Sequence, residues 1–107
     1  MFKKETEVKV NEAVELELSN ACELYGEKYH SLHEGYAVLK EEIEEATNNL
    51  EYIKDNFADL WNNVKSDDEL SVKAQARFVA FGAVQLALEA VQVAAVARKI
   101  LGDGEKW

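Results

Sequence analysis

Nine apolar residues, Tyr36, Leu39, Ile43, Ala46, Leu50, Ile53, Phe57, Leu60 and Val64, follow one another at alternating steps of three and four. Such a repeat, sustained over roughly four heptads, is the pattern of a long α-helix whose apolar seam packs against other helices. Ser31 stands where the N-cap of this helix belongs, and Glu34 three residues later completes a capping-box pattern. "KSDDELS" supplies the next break, where Ser66 or Asp67 is placed to cap the following helix. The chain has 107 residues, no proline and five glycines. That length gives one core, and that composition favours uninterrupted helices over short strands. We therefore expect a single all-α domain over residues 1–107.

Two further helices flank the seam. Val10, Val14, Leu18, Ala21, Tyr25 and Tyr29 recur at helical spacing, which predicts a first helix over about residues 6–29 with "GEKYHS" as its frayed end or a turn. His30 and His33 read as turn or cap residues, and Cys22 reads as core. From about residue 70 to 101 the pattern changes, because "FVAFGAVQLALEAVQVAAVA" is apolar on nearly every side. A helix of that kind is buried all round. Three helices in a chain this small cannot surround one of their own, so a homodimer or tetramer is expected to complete the bundle. Gly102 is placed as the C′ cap, with "GDG" at 102–104 ending the helix. Trp61, next to the seam, reads as core or interface, or as a stacking surface for a base.

The net charge of −9 argues against nucleic acid or an anionic membrane as partner, since either needs a basic surface. Cations, or ligands that arrive with one, fit better. A lone cysteine cannot form an internal disulfide and suggests a reducing, cytoplasmic setting. "MFKKETEVKV" has no apolar segment of the secretory kind. The apolar stretch 78–97 is interrupted by Gln85, Glu89 and Gln92, which argues against a membrane span. Neither a phosphate-binding GxxxxGK[ST] loop nor a GxGxxG turn is present.

Two acidic features remain. Glu41, Glu42, Glu44 and Glu45 occupy four of five successive positions, Glu41 nearly opposite the seam and the others to either side. This is either a solvated helix face or a set of carboxylates for a cation; repulsion at i, i+3 and i, i+4 costs energy that a divalent cation would relieve. In the last helix, with Gln85 as origin, Glu89 falls at about +40° and Gln92 at about −20°, with Lys99 near the same line. A buried ionised glutamate must be paired or ligated. Glu89 is therefore either bonded to the glutamines or to Arg77, Arg98 or Lys99, or it faces the carboxylates of the second helix across a wet pocket that holds Mg²⁺.

"HEGYAVLKEEIEEA" and "EAVQVAAVARKIL" together resemble the MazG-like all-α nucleoside triphosphate pyrophosphohydrolases, particularly the short members of phages and prophages. The resemblance covers roughly residues 30–101. It implies a Mg²⁺-dependent hydrolase, with Mn²⁺ as a possible substitute, that releases nucleoside monophosphate and pyrophosphate. Carried over onto this sequence, it makes Glu42, Glu45, Glu89 and Gln92 the metal ligands and Glu41 a further ligand or the group that activates water. Arg98 and Lys99 are then candidates for the triphosphate tail. Gln92 stands where the family has a metal-binding aspartate, and the spacing from Glu45 to Glu89 is longer than is usual. The alternative is a non-catalytic helical oligomer of the same fold that acts by binding.

Overall fold

The structure, a computed structural model, describes residues 2–102. Three helices form in order: α1 (Lys4–Tyr25), α2 (Leu32–Lys65) and α3 (Glu69–Leu101). Among the described residues there is no strand, and the fold is all-α. Asp103 and Gly104, expected to help end α3, lie outside the described residues.

Local chemistry sets the helix boundaries. α1 stops at Tyr25, four residues short of the expected end at residue 29, because Gly26 takes a φ of 92° and donates its N–H to the Cys22 carbonyl at 2.9 Å. Glycine tolerates that backbone conformation, which would strain other residues. Tyr29 consequently lies beyond the helix. At the start of α2 the Ser31 hydroxyl accepts the Glu34 N–H at 3.1 Å. The Glu34 carboxylate reaches back to the His30 N–H at 2.9 Å and lies 3.1 Å from its ring Nδ1. The bond from the His30 backbone, followed by that from its ring, holds Glu34 below the usual carboxylate range.

Between α2 and α3 the cap falls one residue later than expected, on Asp68 rather than on Ser66 or Asp67. Asp67 has a φ of 56°, and its N–H meets the Val64 carbonyl while that of Asp68 meets Asn63, each at 3.0 Å. This is the paired closure of a left-handed helix end. Asp67 being used to end α2, Asp68 starts α3, accepting the Ser71 N–H at 3.1 Å and its hydroxyl at 2.7 Å. Those two bonds, hydroxyl first, depress the Asp68 pKa. Gly102, at a φ of 88°, closes α3 through Arg98, as expected.

By packing, the chain divides into two compact units. One joins the chain up to Ile43 with the stretch from Ala90 onward. Its buried apolar side chains are Val14 and Ala95, and polar pairs tie α1 to α3. The Gln92 amide donates to Glu17 at 2.8 Å, and Arg98 pairs with Glu15 at 3.0 Å. Gly35 lets α2 come close to its neighbours, since a Cβ there would lie 3.1 Å from Ile100 Cγ1 and 3.3 Å from the Tyr29 ring.

The other unit, Glu44–Glu89, is a hairpin of two helical arms. The arms touch closely at Gly82, where a Cβ would lie 2.8 Å from both Ile53 Cγ1 and the Tyr52 ring. None of its apolar side chains is buried. Phe57, Trp61, Phe78, Phe81, Val84 and Leu88 are all exposed. The expectation that α3 is buried on every side does not hold within one chain, because two helices cover only one side of each other. The chain exposes 8178 Å², against roughly 6,000 Å² for an ordinary monomer of this mass. By length and composition alone, α3 is also apolar enough to cross a membrane.

Candidate metal centre

Glu42 and Glu45 lie one turn apart on α2, so helical geometry puts them on one face. Glu89, on the polar stripe of α3, meets Glu45 inside the hairpin unit, where a carboxylate oxygen of each lies within 4.8 Å of the other. Two carboxyl groups this close favour a proton shared between them. The hydrogen bond to Glu89 is the main cause that raises the Glu45 pKa, desolvation adds to it, and the Glu89 charge adds least. Glu42 stands one turn before Glu45 on the same helix and is the third carboxylate of the expected set. Glu42 and Glu89 are half-buried and Glu45 is exposed.

A set of three carboxylates is chemically suited to a hard divalent cation. Mg²⁺ and Mn²⁺ take oxygen ligands and keep open positions for water or substrate oxygens, whereas the softer zinc sites use histidine or thiolate. The raised Glu45 pKa belongs to the metal-free state, because a cation that drew both oxygens would displace the shared proton.

The other expected site residues lie as follows. Glu41 is exposed and stands outside the group of three. Gln92 has its amide nitrogen on Glu17 of α1, which leaves its carbonyl oxygen for any other contact. Arg98 is paired with Glu15. Lys99 is almost fully buried, with its Nζ 4.3 Å from the centre of the Tyr29 ring. The polar stripe of α3 is therefore divided: Glu89 meets α2 in one unit, and Gln92 and Arg98 meet α1 in the other.

Sequence reasoning missed Tyr29, which it placed on the apolar stripe of α1. Burial is the main cause of its raised pKa, followed by the charges of Glu34, Glu42 and Cys22. No spacing signal could have found it, because the helix that would set its phase ends at Tyr25. Lys28, Tyr29, Ser31 and Lys99 share a cleft of about 530 Å³. No family model, curated protein or solved structure matches the chain.

Proposed function

We propose that this chain is a Mg²⁺-dependent nucleoside triphosphate pyrophosphohydrolase of the MazG-like kind, cytoplasmic and assembled as a dimer or tetramer. The observation that carries the reading is the meeting of Glu45 with Glu89, 44 positions away in the sequence, a carboxylate oxygen of each within 4.8 Å of the other, with Glu42 one turn before Glu45 on the same helix. The EExxE spacing of Glu41 to Glu45 and the flanking sequences resemble the family's metal-binding segments. Glu42, Glu45 and Glu89 would hold the cation, which when bound offsets the charge of the triphosphate and polarises it toward attack by water. Water adds at the α-phosphorus, the α–β anhydride bond breaks, and the products are nucleoside monophosphate and pyrophosphate. Glu41, beside this set and open to solvent, is the group we assign to accept the water's proton. Lys99 is the more available of the two basic candidates, Arg98 being paired with Glu15.

Self-association is supported by the surface. The excess of about 2,000 Å² over an ordinary monomer is enough for an extensive interface between copies, and the exposed aromatic residues of the Glu44–Glu89 hairpin are what such an interface would cover. Light scattering should give a dimer or tetramer that stays in the soluble fraction; a well-folded monomer, or a protein that sediments with membranes, overturns this part.

A second reading has one observation in its favour. Gln92 is hydrogen-bonded to Glu17 and adds no negative charge, which on this reading makes the set the remnant of a metal site in a helical oligomer that acts by binding. Pyrophosphate release from a panel of standard and modified nucleoside triphosphates, with Mg²⁺ or Mn²⁺, separates the two. We expect turnover in the wild type and its loss in Glu42→Gln. No turnover of any nucleotide, with no rise in melting temperature on adding either cation, leaves the binding protein.

A further inference from the structure

The sequence places 21 acidic residues against 12 basic ones, yet among the described residues no acidic one lines the cleft at the end of α3. Lys28, Ser31 and Lys99 supply its polar groups, and Tyr29, Leu32 and Ile100 its apolar ones. Lys99 is only 7 % exposed. Its ammonium lies over the Tyr29 ring and has neither an ion pair nor a hydrogen bond among the described residues. A buried ammonium ordinarily has an anionic or hydrogen-bonding partner. The Glu34 carboxylate feels the Lys99 charge weakly, but it is engaged by His30.

A second feature lies at the same place. Ser31 caps α2 and Leu32 begins it, so the cleft opens at a helix N-terminus. The N–H groups of Leu32 and His33 have no acceptor within the helix, while those of Glu34 and Gly35 are taken by Ser31. Ser31 Oγ accepts the Glu34 N–H and keeps its own proton to donate. Free backbone donors, the helix dipole and a buried lysine together suit a compact oxyanion. The volume of about 530 Å³ is that of a site for one small molecule.

We propose that this cleft binds a phosphomonoester with a flat or apolar body, the phosphate at Lys99 and the start of α2 and the body against Tyr29, Leu32 and Ile100. It needs no divalent cation and shares no residue with the Glu42, Glu45 and Glu89 set; Lys99, which the hydrolase reading also uses, is the one residue common to both, and binding in the presence of a chelator tells the two apart.

The test is calorimetric titration of the full chain with phenyl phosphate in the presence of a chelator, with benzoate as the carboxylate counterpart. Phenyl phosphate should bind one to one and more tightly than benzoate. Lys99→Met, which keeps the unbranched stem and removes the ammonium, should weaken binding about tenfold or more, the loss of one charge-assisted contact. Lys28→Gln, on the exposed rim, should weaken it roughly twofold with the fold undisturbed. Glu45→Gln should leave it unchanged. The proposal is overturned if phenyl phosphate gives no binding heat, if benzoate binds as tightly, or if folded Lys99→Met and Lys28→Gln both bind like the wild type.

Discussion

The two units of this chain solve the same problem with different amounts of material. Around Val14 and Ala95, segments of all three helices contribute, and polar pairs fasten them: Gln92 to Glu17 and Arg98 to Glu15. The Glu44–Glu89 hairpin has two helical arms, no buried apolar side chain, and large aromatic residues facing outward. The difference teaches that a third helix is what converts apolar stripes into a core. Where it is missing, the same kind of stripe becomes a surface in need of a cover, and the carboxylate pair of Glu45 and Glu89 lies in that part of the chain.

The largest expected effect tests whether the hairpin is covered by a second copy. Phe81→Glu puts a charge on the exposed face, and in an interface it should cost roughly 3 kcal/mol or more and break the oligomer. Leu24→Glu, on α1 and 73 % exposed, should stay within about 0.5 kcal/mol. Equal, small shifts in denaturant midpoint for both would erase the distinction.

Next come the two helical glycines. Gly82→Ala forces a Cβ to 2.8 Å from Ile53 and Tyr52, and we expect a net loss of about 1 kcal/mol after the helix-propensity gain is subtracted from the overpacking cost. Gly35→Ala meets Ile100 at 3.1 Å, a contact that a small movement of the isoleucine relieves, so its net change should be near zero by the same measure. A Gly82→Ala protein as stable as the wild type would show that the hairpin arms adjust freely.

The smallest effect is a pH dependence. Because Glu89 raises the Glu45 pKa in the folded chain, the folded state holds that proton more tightly than the unfolded one. Stability from this group is therefore fully present at low pH, and it falls as pH rises from the ordinary carboxylate value through the raised one. Glu45→Gln should raise the melting temperature at neutral pH without metal, and the gain should vanish under acid. Added Mg²⁺ should then lift the wild type and not the variant. A variant that melts below the wild type at neutral pH contradicts the shared proton.

Much of this was legible in the sequence. The heptad positions from Tyr36 to Val64 and the Ser31–Glu34 pair carry their own periodicity and chemistry, so α2 could be placed to within a residue or so. The end of α1 could not, because Tyr29 continues the apolar spacing and only the backbone at Gly26 breaks it. Ser66, Asp67 and Asp68 all have capping side chains, and which one caps depends on which takes the left-handed conformation. The stripe of Gln85, Glu89 and Gln92 was visible as a stripe, but its division between α2 and α1 was not. Phase along one helix fixes a direction and says nothing of which neighbour stands there.

The turn at Asp67 and Asp68 also bears on the order in which the protein assembles. It joins two helical arms through three residues, so the hairpin is closed by contacts near in sequence, whereas Gln92 must find Glu17 across 75 positions and Arg98 must find Glu15 across 83. Short loops close first, at the least entropic cost. We expect Asp68→Ala to slow folding and Glu17→Gln mainly to speed unfolding, as stopped-flow kinetics would report. On that order the hairpin forms while its aromatic face is still bare, and the moment of greatest exposure to other chains comes before α1 has docked.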